Sequence, residues 1–226
     1  MVSDNLPKQE LAPGWLEIIV GLVGYVVLLA ATAVILTRIP DEQAAFRGIV
    51  GLAAGGIACT GAFVVAMALR IRKFGPFGFR AVELKWLVIG AALGVAAFIA
   101  SFAIEEIYFS FITEPNTQAD FQAAAKSGFL AMIPLLIAGA IITPLGEEFL
   151  FRGIVANALN RHGFWAGVVG SALIFGAAHG LSVIFLLAFM VGVIAAILFC
   201  RTGSVWPGIA THVIYNGLHL LFYSTL

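Results

Sequence analysis

Apolar residues run along this chain in long continuous stretches rather than in the alternating pattern of half-buried strands. Seven such stretches are separated by shorter polar connections: Trp15–Thr37, Gly48–Leu69, Trp86–Phe111, Phe129–Leu145, Phe164–Ala178, Ser182–Cys200 and Val205–Tyr223. About 20 apolar residues suffice for a helix to cross the hydrocarbon core of a bilayer. Continuous apolar runs also favour helices over the alternating strands of a membrane barrel. The pattern therefore predicts an all-α fold, a polytopic transmembrane helix bundle.

Composition supports this interpretation and excludes a soluble domain. Of the 226 residues, 62% are hydrophobic and only 11% are charged, and the mean hydropathy is +1.06. Soluble domains carry roughly 45–50% apolar and about 25% charged residues. The 12 Lys and Arg residues balance the 12 Asp and Glu residues, so no basic field favours nucleic acid. We expect the lipid bilayer, and no nucleic acid, as the surroundings of this protein.

The number of helices is expected to be seven, or eight if one apolar stretch is broken. The stretch Phe164–Ala178 has 15 residues, about 22 Å at 1.5 Å per residue, which is shorter than a core of ~30 Å. The first stretch, Trp15–Thr37, is too long for the apolar region of a signal peptide. We interpret it as a helix that the protein retains.

The chain is expected to divide into three parts. Residues 1–111 form an N-terminal three-helix membrane segment without unusual polar residues, and residues 112–127 form the only long polar connection. Residues 128–226 form a membrane core that contains polar residues within its apolar stretches.

Lys and Arg are distributed unevenly between the two sides of such an alternating bundle. Apart from Arg152, which lies within the membrane, eight fall on one side (Lys8, Arg70, Arg72, Lys73, Arg80, Lys85, Arg161 and Arg201) and three on the other (Arg38, Arg47 and Lys126). Because cytoplasmic loops carry an excess of Lys and Arg, we expect a protein of the cell (plasma or inner) membrane with a cytoplasmic N-terminus.

Three groups of polar residues interrupt the apolar stretches of the C-terminal part. An ionisable residue at the centre of a membrane helix costs about 2.5–3.5 kcal/mol, so it usually has a function. The groups are Glu147 and Glu148 with Arg152, then His179, then His212 with Asn216. Glu148 and Arg152 are four residues apart and can form an ion pair on one helix face. Glu147 is turned about 100° from Glu148, which leaves its carboxylate free to face another partner.

This combination of side chains predicts hydrolysis. A free carboxylate can take a proton from water, imidazoles can bind a metal or orient that water, and an amide can donate to an oxyanion. No two histidines are three to five residues apart, so the usual helical zinc motif is absent. The alternative is a structural polar network that joins the helices.

The three groups, in this order, resemble the motifs of the CPBP intramembrane proteases. These motifs are Glu147-Glu148-x-x-x-Arg152, Phe175-x-x-x-His179 and His212-x-x-x-Asn216. The family includes the type II CAAX prenyl endopeptidases (Rce1-like) and the bacterial Abi proteins, and the resemblance covers roughly residues 129–222. It implies that Glu147 is the general base and that His179 acts with it on water or metal. It assigns His212 and Asn216 to metal binding or to the oxyanion, with Glu148 and Arg152 supporting the site.

The resemblance leaves two mechanisms open. In one, zinc is held by His179 and His212 together with Glu147; in the other, Glu147 activates water without a metal. The implied substrate is a peptide bond in a lipid-anchored or membrane-embedded protein, and neither prenylation of the substrate nor the oligomeric state follows from the sequence. A non-enzymatic membrane scaffold, or a bacteriocin-immunity protein on the same fold, is the alternative function. A proton-coupled transporter would predict internal repeats, which the sequence does not show.

Several other polar or small residues receive structural interpretations. The pair Glu105–Glu106 is expected at the interfacial end of the third helix, and His219 near the membrane edge. Gly51, Gly55 and Gly56 are expected to form a close helix contact. The two cysteines, Cys59 and Cys200, are interpreted as thiols in apolar surroundings.

Overall fold

The computed structural model describes residues 11–226, and this part of the chain contains helices and no strand. The first ten residues, including Lys8, lie outside the described part. The eight helices are α1 (Trp15–Leu36), α2 (Ala44–Arg70), α3 (Leu84–Phe109), α4 (Ala119–Lys126), α5 (Phe129–Asn160), α6 (Ala166–Ala178), α7 (Val183–Thr202) and α8 (Trp206–Tyr223). The predicted all-α fold is confirmed.

Five helical segments are long and apolar enough to cross a membrane: α1, α2 with its preceding turn (Asp41–Arg70), α3, α5 and α7. Helix α6 is apolar but shorter, and α8 contains polar residues of the third motif. Each of the seven predicted stretches corresponds to one helix. The eighth helix, α4, forms within the polar connection, so the predicted helical membrane bundle is confirmed.

Helix α5 is longer than the sequence predicted, because it continues beyond Leu145 to Asn160. Two stretches of π-helical turns lie on either side of the pair Glu147–Glu148: Ile137–Ile142 before it, and Phe149–Ala156, which includes Arg152, after it. Such turns widen the helix locally and occur frequently at functional sites. The polar residues of the motif do not end the helix, because they are enclosed by neighbouring helices rather than exposed to lipid.

Glycines allow α2 and α5 to approach each other closely. A Cβ atom on Gly56 would lie 2.5 Å from the Ile142 carbonyl oxygen, and a Cβ atom on Gly146 would overlap the carbonyl oxygen of Gly56. The expected glycine contact of α2 therefore involves Gly56. Its neighbour Gly55 has open space beside it, since it lines a cavity instead.

A second close approach fixes α8 against α3. A Cβ atom on Gly94 would lie 2.5 Å from the Thr211 carbonyl oxygen, and the Thr211 hydroxyl donates to the Gly90 carbonyl at 2.9 Å. This contact sets the register of α8 next to His212. The N-terminal helices thus position the third motif directly.

The helices alternate in direction and give the bundle two ends. The end that we call the basic end contains residues 71–83, 161–165 and 203–205, and the loop 71–83 folds onto it. There the Val205 amide donates to the Gly78 carbonyl at 3.0 Å, and Asn157 Nδ2 donates to the Pro76 carbonyl at 2.7 Å.

The other end, which we call the opposite end, contains residues 37–43, 110–128 and 224–226. Arg47 of α2 binds Asp120 of α4 through two hydrogen bonds of 2.6 and 2.9 Å, and this guanidinium lowers the pKa of the Asp120 carboxyl. Glu114 accepts from the Val183 amide at 3.0 Å and from the Tyr108 hydroxyl at 2.8 Å. The polar connection is therefore attached to α2, α3 and the start of α7.

Candidate active site

Glu147 lies between the two histidines that the sequence singled out. Its carboxylate is buried on α5. Its Oε1 is 3.6 Å from His179 Nε2 and its Oε2 is 3.5 Å from His212 Nε2. Residues separated by up to 65 positions in the sequence thus meet at one carboxylate, where the three motifs converge.

The shortness of α6 brings His179 to the depth of Glu147. A helix with the bounds Ala166–Ala178 rises only about 20 Å at 1.5 Å per residue. His179 follows its last residue, and the chain then reverses at Gly180, which has a φ of 87°. The Ser182 hydroxyl caps α7 by accepting from the Ile184 amide at 3.2 Å. A full-length α6 would have carried His179 past the other two motifs.

A second partner orients each imidazole. His179 Nδ1 lies 2.9 Å from the Phe175 carbonyl oxygen, and His212 Nδ1 lies 3.1 Å from Glu148 Oε1. Both acceptors require a proton on Nδ1, which in a neutral imidazole leaves a lone pair on Nε2. Both Nε2 atoms therefore present that lone pair on the side of Glu147.

Glu148 pairs with Arg152 as the spacing predicted. Arg152 Nε is 3.2 Å from Glu148 Oε2, and both side chains are almost completely buried. The Arg152 guanidinium also lies over the Phe175 ring, 4.5 Å from its centroid, a cation–π arrangement. Glu148 thus joins Arg152 to His212, and the sequence did not predict the contact with His212.

Asn216 lies one turn beyond His212 on α8 and lines the same cavity. Its Nδ2 donates to the Gly139 carbonyl of α5 at 2.9 Å. An amide nitrogen carries two hydrogens, so this bond uses one of them. The other hydrogen is available to a group in the cavity.

The motif residues surround a cavity of about 260 Å³. Its lining includes all four of the residues assigned to catalysis, Glu147, His179, His212 and Asn216, and also residues from α2, α4 and α7. Tyr25 contributes from α1, and its ring packs edge-on against Phe151 with centroids 6.0 Å apart. The site therefore combines the C-terminal motifs with helices of the N-terminal segment.

Three residues near the site had no predicted role in it. Tyr25 lies in an apolar helix, and no motif near it in the sequence indicates a role in the site. Gly208 is needed because a Cβ atom there would lie 2.8 Å from Glu148 Oε2. His219 is buried against α3, where Ser101 Oγ lies 3.2 Å from its Nε2, and it also lines the cavity. It shares a helix face with His212, as their spacing of seven residues predicts.

The side chains around Glu147 are of the types that bind zinc. Two imidazoles with engaged Nδ1 atoms and one carboxylate are common zinc ligands, and partners such as Glu148 orient such histidines in zinc sites. Within residues 11–226, however, no three His, Cys, Asp or Glu side chains are grouped as a metal-binding cluster.

Comparison with known proteins supports the resemblance seen in the sequence. Residues 129–218 match the family model "Type II CAAX prenyl endopeptidase Rce1-like". The chain is 30% identical over 135 residues to the Bacillus subtilis (strain 168) protein named "Putative membrane peptidase YdiL", covering 58% of this chain and 52% of that protein. The chain thus spans about half the length of this curated relative. No solved structure matches the chain. The resemblance to the CPBP proteases is confirmed for the segment that carries the three motifs.

Proposed function

We propose that this protein is an intramembrane endopeptidase of the CPBP type. It hydrolyses a peptide bond in a lipid-anchored or membrane-embedded substrate with water that Glu147 activates. The observation that carries this proposal is the placement of the Glu147 carboxylate between His179 Nε2 and His212 Nε2. The family match over residues 129–218 supports a protease in the same segment.

Glu147 is proposed to be the general base. A water held between its carboxylate and His179 Nε2 gives a proton to Glu147, and the water oxygen attacks the carbonyl carbon of the substrate. The base has the geometry for this role because it opens into the cavity while Glu148 is occupied by Arg152 and His212. A positioned base of this kind contributes typically 10²–10⁴-fold to the rate.

Asn216 is proposed to stabilise the oxyanion that forms. Its second amide hydrogen can donate to the developing negative charge, and its bond to Gly139 holds the amide in place. When the C–N bond breaks, the proton on Glu147 passes to the leaving nitrogen. The products are a carboxyl group and an amine, and the base is regenerated.

If zinc binds, His179 and His212 would hold it through Nε2 together with the Glu147 carboxylate. The ion would supply Lewis acidity and lower the pKa of a bound water. The orientation of His212 by Glu148 serves either mechanism, because it keeps Nε2 directed at Glu147.

Purified protein and a quenched, lipid-anchored peptide test the proposal. We expect Glu147→Gln to reduce cleavage at least 10²-fold with near-normal folded yield, because the substitution keeps the shape of the side chain but removes the base. Glu106→Gln, in the last turn of α3 and outside the cavity, is the matched control and should cleave normally. Equal cleavage by the wild type and Glu147→Gln would contradict the proposal. Binding or immunity that survives Glu147→Gln, without cleavage by the wild type, would support the scaffold function instead.

A further inference from the structure

The cavity around Glu147 extends in one direction only. On α8 its lining runs from His212 to Tyr223, about 16 Å along the helix. On α5 it runs from Glu147 back to Gly139, and on α7 from Val191 back to Ile184. Each of these segments leads from the catalytic residues towards the opposite end of the bundle.

The cavity meets two further cavities at the opposite end. One, of about 550 Å³, shares Gly51 and Phe121 with it. The other, of about 260 Å³, shares Gln118, Ile184, His219 and Tyr223. The polar connection lines all three, so the path from Glu147 to solvent passes along this segment.

The basic end is closed by an aromatic cluster, which we define as Phe63, Phe74, Phe77, Phe79, Phe149 and Trp206. Phe77 of the loop 71–83 is completely buried, and its ring centroid lies 5.2 Å from that of Phe63. The ring centroid of Phe79 lies 4.8 Å from that of Phe149 and 6.2 Å from that of Trp206. Aromatic packing of this kind leaves few voids larger than a water molecule.

The two ends of the bundle also differ in the number of Lys and Arg residues that they carry. Seven Lys and Arg residues lie in the segments of the closed basic end or within two residues of them: Arg70, Arg72, Lys73, Arg80, Lys85, Arg161 and Arg201. Three lie at the opposite end or in the first turn of α2: Arg38, Arg47 and Lys126. By the distribution of positive charge, the basic end is expected to face the cytoplasm. The opposite end would then face the extracytoplasmic side.

Polar side chains of the connection line the entrance next to apolar side chains such as Phe102, Val183 and Phe222. Asn116 Nδ2 donates to Gln122 Oε1 at 2.9 Å, and both residues line the third cavity together with Thr117 and Gln118. Amides and hydroxyls both donate and accept hydrogen bonds. These are the groups that a peptide backbone requires of its surroundings.

We infer that the substrate enters the catalytic cavity from the opposite end of the bundle. This substrate is a polypeptide segment exposed on the extracytoplasmic face of the membrane. This inference rests on the proposed peptidase function and names the side and the class of its substrate. Peptide cleavage is then separated from the cytoplasm by the aromatic cluster.

Thiol labelling tests the route of access independently of activity. In a background with Cys59→Ala and Cys200→Ala, Leu187→Cys places a single thiol in the cavity, and Ala188→Cys is a second variant with a smaller change. Thr117→Cys reports the opposite end and Lys73→Cys the basic end. The probe is a charged, membrane-impermeant thiol reagent applied to sealed right-side-out and inverted vesicles.

We expect the cavity thiol and Thr117→Cys to react in right-side-out vesicles, at least tenfold faster than in inverted vesicles, and Lys73→Cys to show the reverse. Reaction of the cavity thiol from inverted vesicles, or equally from both, would overturn the inference. A bulky adduct on Thr117→Cys should also reduce peptide cleavage at least tenfold, whereas the same adduct on Lys73→Cys should not. Absence of any cleavage, at the level of Glu147→Gln, would refute the proposed function, and the labelling would still decide the route.

Discussion

At the scale of single residues, the two adjacent glutamates have different surroundings. Glu147 opens into the cavity, whereas Glu148 is enclosed and contacts both Arg152 and His212. A carboxylate without exposure needs partners, because a buried charge that loses its partner costs about 3–5 kcal/mol. We therefore interpret Glu147 as the reactive group and Glu148 as the residue that positions His212.

The ion pair gives the first prediction at this scale. Arg152→Ala would leave the buried Glu148 carboxylate without its cation, so it should lower the folded yield as well as activity, by about 3–5 kcal/mol of stability. Arg201→Ala, an exposed arginine at the end of α7, is the control and should fold normally. The measurement is the monodisperse yield and thermal unfolding in detergent. Equal yields of Arg152→Ala and Glu147→Gln would argue against separate roles for the two glutamates.

Metal binding is the second prediction for these residues. If zinc is bound, the purified protein should contain one ion per chain, and His179→Ala and His212→Ala should each abolish it. The donor types around Glu147 suit zinc, so elemental analysis decides between the two mechanisms. Full activity after exhaustive chelation, in protein without detectable metal, would establish the metal-free mechanism.

At the scale of elements, the contact between α2 and α5 determines where Glu147 lies. Gly146 immediately precedes Glu147, and it touches the backbone of α2 at Gly56. Backbones can approach this closely only where no Cβ intervenes. The first motif is thus positioned by a helix that lies outside the segment matched by the family.

A substitution at this contact should separate the helices. Gly146→Ala would overlap the Gly56 carbonyl oxygen, so we expect a loss of about 1–3 kcal/mol or more from overpacking and a displaced Glu147. Gly55→Ala, on the adjacent position of α2, meets no atom within 4 Å and serves as the control. Thermal unfolding of the two variants measures the difference. Stability equal to that of the wild type in Gly146→Ala would contradict the close approach.

At the scale of the whole molecule, the sequence predicted the bundle and its motif residues well, because both depend on local patterns. Continuous apolar runs located seven helices, and the spacing of Glu148 and Arg152 predicted their pairing. The end of α5 was missed because Glu147 and Arg152 look like the end of an apolar stretch until their neighbours enclose them. The contact of Glu148 with His212 joins residues 64 positions apart, and no local spacing encodes such a contact.

The distribution of Lys and Arg predicts how the molecule is oriented in the membrane. The loop 71–83 and the neighbouring ends of α2, α3, α5 and α7 contain seven Lys and Arg residues at the basic end. Positive charge in short loops is retained in the cytoplasm, so this end should be cytoplasmic, while α8 ends on the other side. A reporter enzyme that needs disulfides to fold matures only outside the cytoplasm. Fused after Leu226 it should be active, and inserted after Lys73 it should be inactive. The reverse result would show that the molecule has the opposite orientation in the membrane, with the open end of the cavity facing the cytoplasm.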